Sequence, residues 1–198
     1  PTQQLSAVSR RVHRMVKEQT DGIRRALEQL DTRGIRVLRV DELTAEQTRF
    51  VDNSFSSEIE PVLTPLAVEE LHPFPLLPAL GLNAALLLRS EEQEERIAVV
   101  PVPRGFPRFV TIPAERGVRL VTLDDVITAK AGRLFPGFTV EAATVFRLTR
   151  DADVEIRDDE VGDLMDAVEQ AVSSRRRRSV VRLEIAAGAH PRLRKWLC

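Results

Sequence analysis

Cysteine is almost absent from this chain: the single residue, Cys198, stands at the end of 198 positions. An intrachain disulfide framework is therefore excluded, and a reducing compartment is the simpler reading. Tyrosine is missing and aromatic residues make up 5%, too few for a nucleic-acid stacking surface. Phe74, Phe106 and Phe109 lie near prolines and arginines, yet they read better as core residues. Neither sign of charge dominates. With a formal net charge of -1, whole-molecule electrostatics favour neither nucleic acid nor a membrane surface. No apolar run approaches the roughly 20 residues that cross a bilayer, and no signal-peptide core opens the chain. These absences predict a cytoplasmic protein, with peripheral membrane association left open.

Catalytic motifs are scarce too. The nine glycines never form the phosphate-cradling loop that ends in Lys-Ser or Lys-Thr. There is no Gly-x-Ser-x-Gly elbow, and Cys198 has no neighbouring base. His13, His72 and His190 are too scattered to predict a metal site. His72, between prolines in ELHPFP, reads as a pin for a rigid turn rather than a group facing a phosphate cleft. Asp124-Asp125 and Asp158-Asp159 stand at expected helix starts, where capping accounts for them better than acid-base work. No residue here is a candidate catalyst, and none a metal ligand.

What the chain does have is a sharp internal boundary. Four prolines, Pro61, Pro65, Pro73 and Pro75, fall within sixteen residues from Glu60. Each fixes its own φ and pushes its predecessor toward extended geometry, so a helix running toward Glu60 must stop there. Upstream, Leu5, Val8, Val12, Met15, Val16, Ile23, Leu27 and Leu30 recur three or four apart, which predicts one long helix from Thr2 to Arg33 closed by Gly34. Ile35 to Val40 reads as a brief extended connection. Asp41 or Thr44 then caps a second helix to about Glu60. Two such helices cannot bury their stripes alone, so a further partner is implied.

Downstream the pattern turns to short strands: Leu80 to Ser90, Arg96 to Pro103, Pro107 to Pro113, Val118 to Leu123, a long run through ATVFRLTRDADVEI, and Val180 to Ala186. In the last of these Val181, Leu183 and Ile185 are expected to face inward. One helix is predicted to follow Thr122, another spans DDEVGDLMDAVEQAVSSRRRR, and a third begins near His190 to pack Trp196. Strand runs with few helices predict an α+β fold: a helical hairpin, then a mixed sheet of five or six strands.

Arginines are the remaining chemical signal. Arg104 and Arg108 flank the turn VPRGFPRF, Arg147 and Arg150 lie on FRLTRD, and Arg175, Arg176, Arg177 and Arg178 form a run at a helix end. Guanidinium forks suit phosphate and keep their charge. The run also complements a helix dipole, and Arg150 beside Asp151 and Asp153 also suits a strand-end ion network. Both readings stand.

Four segments carry a resemblance in order: PVLTPLAVEELHPFP, AVVPVPRGFPRFVTIP, LFPGFTVEAATVFRLTRDADVEI, and the acidic-to-basic helix ending RRRR before VVRLEI. From about Leu43 to Ile185 they resemble the long-type, phospholipase D-like polyphosphate kinases. The resemblance implies that residues 1–62 are the latter part of a helical N-terminal domain. It implies that 63–198 are the α+β head domain, its C-terminal completeness left open. Family members reversibly transfer the terminal phosphate of ATP to polyphosphate through a phosphohistidine, with magnesium, in a tunnel where four domains meet. The resemblance also implies homodimerisation through the head domain. The matching histidines and phosphate-gripping arginines of that family fall outside this chain. It is therefore expected to be a non-catalytic part that shapes the substrate tunnel, holding no cofactor itself and making no polyphosphate from ATP and magnesium. A naturally short module that binds polyphosphate or a partner is the alternative.

Overall fold

The computed structural model describes residues 2–68, 77–151 and 179–198. Two compact units emerge, Pro1–Phe50 with Phe109–Thr122, and Val51–Arg108 with Leu123–Cys198.

In the first unit the apolar stripe becomes α1 (Thr2–Thr32). Gly34 ends it at a φ of 83°, a left-handed conformation in which a Cβ would be costly. The stretch expected to be a bare connection is a committed strand, β1 (Ile35–Leu38). It pairs in parallel with β6 (Val118–Thr122), which pairs antiparallel with β5 (Phe109–Ile112). The expected helical hairpin is thus interrupted by a strand. Much of the α1 stripe is exposed, Leu5 at 70%. The join of β1 to β6 depends on a close approach. A Cβ on Gly117 (φ 71°) would lie 2.2 Å from the Gly34 carbonyl oxygen. That oxygen accepts from Val118 N at 2.8 Å and from Arg119 Nη1 at 3.0 Å. Phe109, expected in the core, is exposed: along β5 the inward positions are Val110 and Ile112, which puts Phe109 on the opposite face.

α2 (Ala45–Ser54) starts where the first unit ends and continues into the second. Thr44 caps it rather than Asp41, through a reciprocal box: Gln47 N donates to Thr44 Oγ1, and Thr44 N donates to Gln47 Oε1 at 3.1 Å. Asp41 lies in a separate tight turn, Val40–Glu42. The helix winds on through a wider turn, Phe55–Ile59, and a tight one, Glu60–Val62, and stops as Pro61 and Pro65 require.

The second unit is built on an antiparallel sheet ordered β2-β4-β3-β7-β8, from Leu66–Val68, Glu95–Pro101, Leu82–Ser90, Phe138–Arg150 and Val180–Ile185. β2 lies in the stretch that the prolines push toward extended geometry, and it pairs with β4 as a strand. Pro65 precedes it, and it sits at a sheet edge, where a missing donor is tolerated. With β1 and β2 the described residues hold eight strands rather than five or six. The unbroken apolar run Ala84–Leu88 is explained by burial of β3 on both faces. On one face Ala85, Leu87, Val99, Phe146 and Leu148 form a cluster with Leu193 of α4 (Pro191–Leu197), with Trp196 packed alongside. His190 caps that helix, its ring accepting from Arg192 N. On the other face lies α3 (Leu123–Lys130), with Leu123, Val126 and Ile127 buried. Burying each such side chain is worth roughly 1.5–3 kcal/mol.

Leu183 and Ile185 pack against the core as expected, but Val181 is 62% exposed. The register explains this: Thr149 pairs with Arg182 and Arg150 with Val180, so a bulge leaves Val181 without a partner. His72, Phe74, Asp158, Asp159, the acidic-to-basic helix and its arginines lie outside the described residues.

Candidate functional site

Within the second unit, the β4–β5 loop carries two of the arginines. Pro103 and Pro107 restrict it, and both ends are stapled: Val102 N donates to Leu82 O at 2.9 Å, and Leu123 N donates to Arg108 O at 2.8 Å. A second loop, 77–81, is tied beside it. Leu80, at a φ of 62°, donates its N–H to Leu148 O at 2.7 Å, and Asn83 Nδ2 donates to Gly81 O at 3.0 Å. The left-handed residue is held by these contacts rather than by preference.

Between these loops, β3, β7 and the start of α3 lies an open hollow of about 290 Å³. Arg104, Arg108 and Arg147 line it, with Phe106, Leu80 and Asp124. Three arginines chosen from sequence therefore converge on one place. Arg104 donates to Ala79 O and has no ion pair among the described residues. Gly81 leaves room for it, since a Cβ there would stand 3.2 Å from Arg104 Nη2. Arg108, 58% exposed, has its Nη2 3.7 Å from Asp124 Oδ1, beyond hydrogen-bond reach. Arg147 stands opposite Leu82 on the sheet, and its Nε donates to Glu184 Oε2 at 2.8 Å. That hydrogen bond holds the Glu184 carboxyl below its usual range and raises Arg147 further. Glu184 also accepts from Arg182 at 3.1 Å.

Three guanidinium groups thus meet one partly buried carboxylate and one shared with Arg182, leaving a modest excess of positive charge among apolar neighbours. Such a site suits an extended anion presenting several oxygens better than a single small one. Arg150 stands apart. Its Nε lies 3.3 Å from Leu77 O and ties down the 77–81 loop. Phe106, read from sequence as core, is part of the hollow's wall. The sequence offered no sign that Leu80, Gly81 and Asp124 belong with it, because only folding brings 80–82, 102–108, 123–124 and 147 together. Of the histidines, His13 hydrogen-bonds Ser9 O on exposed α1. Among the described residues no three His, Cys, Asp or Glu side chains are grouped to hold a metal ion. No described helix is long and apolar enough to cross a membrane.

Comparison with known proteins points one way. Residues 46–198 match the family described as the polyphosphate kinase middle domain. A polyphosphate kinase of Thermosynechococcus vestitus is 43% identical, the match covering all of this chain and 28% of that protein. One from Bacillus cereus is 35% identical over 93% of the chain and 27% of its own length. The chain thus spans a little over a quarter of the curated relatives it matches. The crystal structure of polyphosphate kinase from Porphyromonas gingivalis has a similar fold, with a TM-score of 0.59 over 77% of this chain and 25% of that one, at 23% identity.

Proposed function

Because this chain belongs to the polyphosphate kinase family, represented by its middle domain, we propose that it is a non-catalytic part that holds polyphosphate for transfer chemistry done elsewhere. The whole protein, on this reading, moves the terminal phosphate of ATP reversibly onto polyphosphate through a phosphohistidine, with magnesium, and works as a dimer. This part contributes Arg104, Arg108 and Arg147 to the path of the phosphate chain. One observation carries the reading: two arginines of one loop and a third from a distant strand, Arg147, converge on a single hollow.

Phosphoryl transfer needs an activated nucleophile and a preorganised charge clamp. The hollow offers a clamp alone, with no histidine or cysteine in its lining. Arg104 and Arg108 supply the adjustable contacts, since neither is locked in a short ion pair. Arg147, fixed by Glu184, supplies a static one. Titrating inorganic tripolyphosphate into the chain by calorimetry tests this. Replacing both Arg104 and Arg108 by glutamine should weaken binding at least about tenfold, the scale of two charge-assisted contacts. Equal affinity in the folded variant would refute it.

A further inference from the structure

The 77–81 loop beside the hollow is held more firmly than a surface loop needs to be. Leu77 is buried in the core cluster, and its carbonyl accepts from Arg150 Nε at 3.3 Å. Leu80 N donates to Leu148 O at 2.7 Å, and Gly81 O accepts from Asn83 Nδ2 at 3.0 Å. Asn83 is itself only 1% exposed, and it shares a face of β3 with Ala85 and Leu87, away from the hollow. A buried amide is costly unless it is hydrogen-bonded, so apolar packing alone does not explain an asparagine there. Leu80 is the second oddity. Its φ of 62° is one that a residue with a Cβ resists, yet the side chain is 63% exposed and gains little burial in return.

What the turn accomplishes is to aim a carbonyl. Ala79 O accepts from Arg104 Nη2. A guanidinium carries five N–H donors in a fixed fork, so placing one of them orients the others. The acceptor is a neutral carbonyl rather than a carboxylate, so Arg104 keeps its full charge for an anion and can still adjust as one arrives. Gly81 leaves the space that the guanidinium occupies, since a Cβ there would stand 3.2 Å from Arg104 Nη2 and 3.6 Å from its Nε.

We propose that the braced 77–81 loop is the positioning element of the anion site, with Asn83 a positioning residue that sets Arg104 without touching the ligand. The inference rests on the reading that Arg104 holds polyphosphate. The braces fix the Ala79 carbonyl, and through it the guanidinium, before an anion arrives. Less ordering is then left for binding itself to supply.

The test is a double-mutant cycle read by calorimetric titration of inorganic tripolyphosphate, with melting temperatures measured alongside. Asn83→Ala removes a brace, and Gly81→Ala crowds the guanidinium off its carbonyl. Each should weaken binding at least about threefold. Gly81 is not in the left-handed region, so its alanine variant should melt at or above the wild-type temperature while binding less well. A merely structural role does not give that combination. In chains already carrying Arg104→Gln, neither change should weaken binding further. Wild-type affinity in a folded Asn83→Ala or Gly81→Ala chain, or a loss that persists without Arg104, overturns the inference and spares the arginine reading. No binding by wild type, or full affinity in Arg104→Gln alone, overturns both. Should Asn83→Ala fail to fold, Gly81→Ala decides alone.

Discussion

Replacing Gly117 by alanine should destabilise the first unit by about 3–5 kcal/mol. The new Cβ would lie 2.2 Å from the Gly34 carbonyl oxygen, where carbon and oxygen normally stay more than about 3.2 Å apart. The obstacle is backbone, so β1 and β6 must separate by about 1 Å. That oxygen accepts from Val118 N and Arg119 Nη1, and weakening both hydrogen bonds costs about 2–3 kcal/mol together. Holding alanine at a φ of 71° adds about 1–2 kcal/mol. The sum is a large share of a typical domain's stability of about 5–15 kcal/mol. Gly22→Ala is the control. Nothing lies within 4 Å of its added Cβ in the middle of α1, so it should stabilise by about 0.5–1 kcal/mol. Urea unfolding followed by circular dichroism measures both. A Gly117→Ala variant within about 0.5 kcal/mol of wild type would show that the glycine pair does not bind β1 to β6.

Two further outcomes follow from the exposed helix and the shared carboxylate. The exposed stripe of α1, including Leu5, Val8, Met15 and Ile23, should drive concentration-dependent self-association of this chain. Sedimentation velocity should show it, glutamate at those four positions should suppress it, and a clean monomer at every concentration would contradict it. The Glu184 carboxyl is held below its ordinary 4.5 by Arg147, so the pair's stabilisation is complete above that pH and lost as pH falls through the lower folded value. The melting-temperature gap between wild type and Glu184→Gln should therefore narrow from neutral pH to about pH 3, and a constant gap would refute the assignment.

Much of the architecture was legible because it is locally encoded. The three-to-four spacing of Leu5 through Leu30, the candidate capping hydroxyl of Thr44, and the alternation of ATVFRLTR each specify their element without distant help, although β7 begins earlier, at Phe138. What escaped depends on pairing at long range. Ile35–Leu38 is too short to announce a strand, and its partner Val118–Val121 is parallel and far along the chain. Leu66–Val68 was hidden behind Pro65 for the same reason, its partner being β4. The division into units is equally non-local, since 109–122 belongs with 1–50 while its neighbours on both sides do not. At Val181 the alternation predicts an inward side chain, and a bulge defeats it. Arginines could be chosen from the sequence as candidates because residue type carries their chemistry. Their convergence could not, nor could the separate duty of Arg150, because both depend on the register in which β7 pairs with β3.

The central claim is that the Arg104–Arg108 loop grips a phosphate chain, and its salt dependence tests this most directly. The dissociation constant for long-chain polyphosphate should be measured over a range of sodium chloride concentrations, for wild type and for the chain with both arginines replaced by glutamine. Every arginine that pairs with a phosphate releases about one counterion, so without the two of them the slope of log affinity against log salt should fall by between about 1 and 2. An unchanged slope with unchanged affinity, in a variant whose circular dichroism matches wild type, would mean that these arginines do not touch the phosphate chain.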